Sequence, residues 1–426
     1  MFLKSIWQNV RWRTRSILWL GACFSGLVVV LFAKLSEYSQ NLFFSLIKIQ
    51  PLAPIFLTPI IGGLVVWLTQ KYFKGAQGSG IPQVIAATKL AKNNKEVSHL
   101  VSLRIAIGKV LLGAIGLLGG FSVGREGPSV QVASSVLRFF HQLLPNTRVI
   151  RLSDLLLAGG AAGIAAAFNT PLAGIVFAIE ELGKRLESRT SAILISSIVL
   201  SGLVAISLQG NYQYFGHFSI NGIDRTFLFY VPFIGITCGV FGGVFSRILL
   251  LPTNFPDFII WKVRNRHPVL FAIVCGLIVA TIGLITGGAT FGNGYGLTGY
   301  IINGGFTDSW WILAGKYLAT ITSYFSGIPG GIFAPSLSIG SAIGGSIYEL
   351  IGQVNYLVPI VALCMAGFLA AVTQAPITSA IIVMEMIDGH EMLIGLLAVT
   401  FIAKAISGKI SPELYQRLAV GFINKK

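Results

Sequence analysis

The feature that most constrains this chain is a set of long stretches without acidic or basic residues. Pro268–Thr307, Tyr317–Tyr348 and Leu350–Met384 contain no Asp, Glu, Lys or Arg. Over the whole chain, charged residues make up 11% and apolar residues 54%, whereas about 25% of residues are charged in a typical soluble protein. So few charges cannot cover a soluble surface, and disorder requires the opposite composition. The chain is therefore predicted to be an all-α polytopic membrane protein.

The charges that do occur are mostly basic. Lys and Arg number 31 against 15 Asp and Glu, a net charge of +16, and the basic residues lie mainly in short connections. This distribution is typical of the positive-inside bias and of contact with anionic membrane lipid, so nucleic acid is not an expected partner. The basic segment 1–15 precedes a charge-free run at 16–33, which favours a retained first helix over a signal peptide. With Lys425 and Lys426 at the other end, both termini are expected in the cytoplasm and the protein in the cell membrane.

Glycine clusters interrupt the apolar stretches. The chain has 50 glycines, and dense groups occur at 287–299 and 327–335. Irregular backbone at membrane depth is tolerated only where it is buried in protein or lines a polar cavity. The sequence therefore predicts discontinuous helices, which are typical of transporters.

An internal repeat divides the chain into two halves. Three segments of the first half resemble segments of the second in the same order: GSGIP at 78–82 weakly resembles 292–299, GREGP at 124–128 resembles GIFAP at 331–335, and 162–180 resembles 366–385. Duplication of this kind places a binding site at the interface of the halves, near the bilayer midplane.

The domain organisation follows from the repeat. We expect a cytoplasmic N-terminal segment at 1–15, a first membrane repeat at 16–208 and a second at 209–417. A short cytoplasmic tail at 418–426 is expected to complete the chain, without a regulatory domain.

Two of the repeated motifs are built like helix N-termini. In GREGP and GIFAP a turn runs into a proline, which loses no hydrogen bond in the first helical turn. The first amides of such a helix lack internal partners and carry partial positive charge, so converging termini bind a small anion. One such motif alone is more often a packing turn, but the repeated set favours an anion site.

The ordered triple GSGIP, GREGP and GIFAP resembles the signature segments of the CLC chloride channel and transporter family. The resemblance runs from about Arg15 to Arg417. It implies a fold of two inverted structural repeats with discontinuous and re-entrant helices, and a homodimer with one pore in each subunit.

The resemblance also implies an anion site. Ser79 is expected to offer its hydroxyl to a central anion, and Tyr415 in SPELYQRL matches the residue that supplies a second hydroxyl. The other reading of Tyr415 is an interfacial anchor. The remaining candidate anion-binding groups lie in the three motifs: Gly80, Gly127, Ile332 and Phe333.

Glu126 in GREGP is predicted to be the gate. A carboxylate at an anion-binding helix terminus competes with the anion for the same amides, so it blocks the path when ionised and opens it when protonated or displaced. The alternative is a glutamate that only stabilises its own helix dipole. That alternative does not account for the flanking Gly124, Arg125 and Gly127.

A second carboxylate position follows the 162–180 segment. By resemblance, Glu181 matches the inner proton-transfer residue of the family's exchangers, although a helix-end cap or an ion pair with Lys184 or Arg185 is also open. The adjacent Glu180 is interpreted as structural, as is its counterpart Glu385.

Two basic residues are expected to support the site. Lys109 lies in an apolar stretch and matches a family position, and a buried lysine requires compensating partners. It and Arg125 are interpreted as tuning the electrostatic potential of the pore.

Together these features predict a proton-coupled chloride antiporter, whose substrates are chloride, other small anions and protons. The alternative is a passive voltage- or pH-gated chloride channel of the same fold. An intramembrane hydrolase is disfavoured, because no GxSxG or HExxH motif occurs, and no enzymatic activity is expected.

The four cysteines lack metal-ligand spacing, so neither a metal nor another cofactor is predicted. The fluoride-selective branch of the family departs from the GREGP and tyrosine patterns, whereas this chain matches them. Chloride is therefore the expected anion.

Overall fold

The structure is a computed structural model that describes residues 2–144, 150–183, 188–210, 214–216, 227, 229–305, 309–351 and 356–424. Within these ranges the chain is helical, and its only extended pairing consists of two isolated β-bridges. The helices of the first half are α1 (Phe2–Ile49), α2 (Ala53–Tyr72), α3 (Ile81–Lys92), α4 (Leu103–Leu118), α5 (Glu126–Gln142), α6 (Leu152–Phe168), α7 (Pro171–Phe177) and α8 (Ser188–Gln209).

The second half is helical in the same way. Its first helices are α9 (Tyr230–Leu249), α10 (Leu251–Asn254), α11 (Ile259–Arg266), α12 (Pro268–Ile285), α13 (Tyr295–Ile302) and α14 (Ser309–Ser326). They are followed by α15 (Phe333–Ile351), α16 (Leu357–Thr373), α17 (Pro376–Ile387), α18 (Leu393–Ile410) and α19 (Leu414–Ile423).

Among the described residues, five helical segments are long and apolar enough to cross a membrane: 12–49, 53–72, 230–249, 268–285 and 390–410. Large apolar side chains point outward from them, such as Ile60, Leu270 and Ile394, which are 65%, 58% and 82% exposed. Exposing such an apolar surface to water would cost free energy, whereas a surface that faces lipid is expected to be apolar. The predicted multi-pass membrane protein is confirmed.

The centre of the molecule is made of shorter helices. Helices α6 and α16, each of 17 residues, are buried over most of their length. Each ends at a residue in the left-handed conformation, Asn169 with φ 59° and Gln374 with φ 63°. A proline two residues further on, Pro171 or Pro376, then opens the next helix. The second half thus repeats the helix–turn–helix geometry of the first, as the sequence repeat predicts.

The two halves meet at their GREGP and GIFAP motifs. Gly124 and Gly331, which are equivalent in the repeat, each donate a backbone hydrogen bond to the other, both of 2.7 Å. Such a reciprocal antiparallel pair is the contact expected next to a local two-fold axis. The GSGIP segment joins the same contact, because Gly78 donates to Ile328 and accepts from Gly330. The motifs that interrupt the helices are therefore buried against each other, as predicted.

Candidate functional site

The helix N-termini of GREGP and GIFAP carry amides without protein partners. Helix α5 begins at Glu126 and α15 begins at Phe333, one motif in each half. The backbone N–H groups of Gly127, Ile332 and Phe333 donate to no group in the described part of the chain. Because buried amides are nearly always paired, these three mark a place for an acceptor that the protein does not supply.

Ser79 lies beside the same amides. Its hydroxyl is buried and has no hydrogen-bond partner in the described residues. It approaches Gly127 so closely that a Cβ on residue 127 would collide with the Ser79 oxygen. The next residue, Gly80, has φ 99°, a conformation that favours glycine and turns the chain into helix α3.

Lys109 fixes the loop that presents Ser79. Its ammonium is completely buried and donates to the carbonyl oxygens of Ala76 at 2.6 Å and Gly78 at 2.7 Å, with a longer bond to Gln77 at 3.3 Å. These charge-assisted bonds hold the turn in place. Lys109 thus holds the backbone of the Ser79 loop, a role that its position in the sequence did not reveal. It also lies close to the pore residues whose electrostatic potential it was expected to tune.

Tyr415 supplies a second buried hydroxyl, next to that of Ser79. The residue is 1% exposed near the start of α19, and its ring stacks on Phe333 with a centroid separation of 6.2 Å and an interplanar angle of 7°. Its hydroxyl forms no hydrogen bond of ordinary geometry within the described chain, but it lies close enough to the Ser79 hydroxyl for a weak interaction between the two. An exposed interfacial anchor is excluded by this burial. Ser79, Tyr415 and the motif that includes Phe333 therefore come together, as the sequence predicts.

The carboxylate of Glu126 is fully buried at the start of α5. Oε1 accepts a hydrogen bond of 2.8 Å from the Tyr295 hydroxyl, whereas Oε2 has no partner in the described residues. Oε2 lies so near Gly124 that any side chain there would collide with it. The glycines on either side of Glu126 thus make room for two functional groups, the Glu126 carboxylate and the Ser79 hydroxyl.

Arg125 lies next to this carboxylate and is buried as well. Its guanidinium donates to the carbonyl oxygen of Ala33 at 2.5 Å and to the Tyr214 hydroxyl at 3.3 Å. It also interacts electrostatically with Glu126 without forming a salt bridge to it. Arg125 therefore contributes positive potential at the α5 terminus while remaining tied to α1.

Glu180 and Glu181 lie on a π-helical turn, Ala178–Gly183, that continues α7. Such turns often occur at functional sites, because the extra residue rotates successive side chains. The Glu180 carboxylate accepts bonds from the Ile377 and Thr378 amides, at 3.1 and 2.7 Å. It therefore caps α17 of the other half, in agreement with the structural reading. Glu181 is buried and lies within electrostatic range of Tyr415, while Lys184 and Arg185 lie outside the described residues.

Two residues of the site escaped the sequence analysis. Lys316 is fully buried and donates to the carbonyl oxygens of Thr290 at 3.1 Å and Gly292 at 2.8 Å. It precedes Phe333 by the same interval as Lys109 precedes Glu126, so the repeat spacing could have revealed it. Tyr295 carries no comparable signal, because only the tertiary structure brings it to Glu126.

A cavity of about 390 Å³ leads to Ser79 from the protein surface. Polar side chains line part of it, among them Gln77, Arg264 and Tyr324. Burial lowers the pKa of Arg264 from its ordinary value, and the arginine remains the cavity's cationic group. Small anions can therefore reach Ser79 through a cavity with a favourable charge.

The donor set is suited to a small anion. It consists of hydroxyls, backbone amides and nearby positive charge, with a buried carboxylate at the same helix terminus. The described residues contain no group of three or more His, Cys, Asp or Glu that could hold a metal ion. Fold and site together define a polytopic membrane protein with a buried place suited to a small anion.

Comparison with known proteins gives the family. The sequence model of the voltage-gated chloride channel family matches residues 61–408. The chain belongs to this family, the CLC family, and has the CLC fold.

Solved structures show the same fold. A slow cyanobacterial Cl⁻/H⁺ antiporter matches with a TM-score of 0.82 and 23% identity, over 97% of this chain and 99% of that one. A CLC-type fluoride/proton antiporter matches at 0.78 and 22% identity, over 95% and 97% of the two chains. A eukaryotic CLC transporter matches at 0.77 and 20% identity, over 96% of this chain and 74% of that one. At these identities the likeness concerns the fold, which confirms the predicted architecture.

Proposed function

We propose that the protein is a proton-coupled antiporter that exchanges chloride for protons across the cell membrane. The observation that carries this proposal is the buried pair of hydroxyls, Ser79 and Tyr415, which form no hydrogen bond of ordinary geometry in the described residues and lie beside amides without acceptors there and a buried carboxylate. The two hydroxyls and the amides of Ile332 and Phe333 hold a central chloride. The amides of Gly127 and Gly80 complete the path toward Glu126.

Glu126 is the gate and the first proton carrier in this proposal. When ionised, its carboxylate occupies the amides of its own helix terminus and excludes chloride. When protonated, it loses its attraction to the helix dipole and leaves the path. Glu126 thus either takes the place of the anion or carries a proton. This exchange links the movements of chloride and protons in opposite directions.

Glu181 is the inner proton-transfer residue in this proposal. Its carboxylate and that of Glu126 both interact electrostatically with Tyr415, so the three groups belong to one electrostatic unit. Protons reach Glu126 from the cytoplasmic side through Glu181. Chloride enters through the cavity that Ser79, Arg264 and Tyr324 line. Lys109 and Arg125 keep the potential of the path positive.

The proposal includes an assembly and a topology. The functional unit is a homodimer with one pore in each subunit and with both termini in the cytoplasm. Residues 16–208 and 209–417 form the two repeats. Helix α19 spans Leu414–Ile423 and therefore continues into the expected tail at 418–426.

Reconstitution in liposomes tests the function. With an inward chloride gradient and a pH electrode outside, an exchanger drives protons uphill out of the liposomes, whereas a passive channel of the same fold moves chloride alone. Chloride flux without proton movement would refute antiport and support the channel. Transport of fluoride but not chloride would refute the proposed substrate.

Glu126→Gln is the matched variant, because it keeps the size of the side chain and removes its charge. We expect it to retain chloride flux, lose proton movement and lose the pH dependence of the flux. Full coupling in this variant would show that another residue is the gate.

A further inference from the structure

Tyr295 holds Glu126 through a contact that lies outside the anion site. Its hydroxyl donates 2.8 Å to Oε1 of Glu126, and this is the hydrogen bond that the carboxylate accepts in the described part of the protein. The ring packs between Tyr214 and Phe215, at centroid distances of 4.9 and 6.1 Å. A donor fixed by aromatic packing holds its acceptor in one position.

The loop that carries Tyr295 is fixed in the same way as the loop that carries Ser79. Gly294 precedes Tyr295 with φ 92°, just as Gly80 follows Ser79 with φ 99°. The buried Lys316 donates to the carbonyl oxygens of the Tyr295 loop, as Lys109 does in the first half. The two halves thus use one device to present two different hydroxyls.

We propose that Tyr295 is the latch of the gate, a positioning residue that holds the ionised carboxylate of Glu126 at the start of α5 and must release it when Glu126 takes up a proton. This inference rests on the proposed gating role of Glu126. In this proposal Ser79 binds the anion, whereas Tyr295, which the second half presents in the same way, binds the Glu126 carboxylate that competes with the anion.

The sign of the effect follows from the chemistry of the bond. A phenol that donates to a carboxylate favours the ionised form of that carboxylate. The other titratable groups around Glu126 in the described chain are Arg125 beside it, Tyr214 behind Arg125, and Tyr415 across the anion site. Tyr295 also interacts electrostatically with Arg125 and Tyr214, but its hydrogen bond to Glu126 is direct, so we expect the loss of that bond to dominate the change in proton affinity.

Tyr295→Phe tests the latch, since it removes one oxygen and keeps the ring packing. A hydrogen bond to a charged group corresponds to about a 10- to 100-fold preference. Chloride efflux from liposomes, measured over a series of pH values, should therefore have its midpoint about one to two pH units higher in the variant. At a pH between the two midpoints, the efflux should therefore be faster in the variant than in the wild type.

Two controls separate a latch from a packing effect. Tyr300→Phe removes a hydroxyl from the same helix at an exposed position and should leave the midpoint unchanged. In a Glu126→Gln background, Tyr295→Phe should have no effect on the pH profile. An unchanged midpoint in Tyr295→Phe, or an equal effect in the Glu126→Gln background, would overturn the latch.

The latch and the antiport can fail separately. A raised midpoint without proton movement would support the latch and refute antiport, whereas intact coupling with an unchanged midpoint would do the reverse. If the reconstituted protein moves no chloride, infrared titration of the Glu126 carboxyl in detergent decides the matter. A midpoint that is higher in Tyr295→Phe supports the latch, and equal midpoints refute it.

Discussion

The adjacent glutamates on the π-helical turn provide a sharp test of how the structure divides their roles. Glu180 accepts three hydrogen bonds from the start of α17: two from Thr378, through its amide and hydroxyl, each of 2.7 Å, and one from the Ile377 amide of 3.1 Å. Glu181 instead lies within electrostatic range of Tyr415. Replacing each glutamate by glutamine should therefore affect stability in one case and proton coupling in the other.

The expected cost of Glu180→Gln can be worked out from these contacts. Glutamine keeps one acceptor oxygen but loses the charge and the second acceptor. A hydrogen bond to a charged group contributes about 1.5–3 kcal/mol, and a charge at a helix terminus adds about 0.3–1 kcal/mol. Because Glu180 is half-buried, solvent reduces both contributions, and the expected loss of stability is about 2 kcal/mol. Thr378→Val, which removes the hydroxyl donor alone, should cost about half as much.

The assays are thermal stability in detergent and chloride-driven proton transport in liposomes. Glu180→Gln should lower the Tm and leave the ratio of proton to chloride movement unchanged. Glu181→Gln should retain chloride flux and lose proton movement. The reasoning would be refuted if Glu180→Gln abolished coupling at an unchanged Tm, or if Glu181→Gln remained fully coupled.

Two further substitutions test the anion site. Tyr415→Phe keeps the stacking on Phe333 and removes a hydroxyl, so chloride affinity measured by calorimetry should fall about 10-fold or more, and equal affinity would exclude the hydroxyl as a ligand. Gly127→Ala places a Cβ against the Ser79 oxygen. It should impair chloride binding more than Gly421→Ala, where an added Cβ meets nothing within 4 Å, and normal binding in Gly127→Ala would contradict the close approach.

Much of the fold could be predicted from the sequence, because lipid imposes a simple rule. Every backbone polar group at membrane depth needs a partner within the protein, so charge-free stretches predict helices and glycine clusters predict their interruptions. The repeat added the pairing of GREGP with GIFAP, which is the reciprocal Gly124–Gly331 contact in the structure. The sequence also predicts Glu126 as the gate, because a carboxylate is conspicuous at a helix terminus that is expected to bind an anion.

What the sequence alone determined was thus the membrane environment, the duplication and the motifs that meet at the centre. The tertiary structure decided which side chain each group contacts: Tyr295 on the carboxylate of Glu126, Lys316 on the loop before it, and Glu180 on a helix of the other half. These contacts join residues far apart in the chain, and their strength depends on distances and directions that composition and spacing do not encode. The sequence therefore predicts that a carboxylate controls the path, and the structure identifies the hydroxyl that holds it.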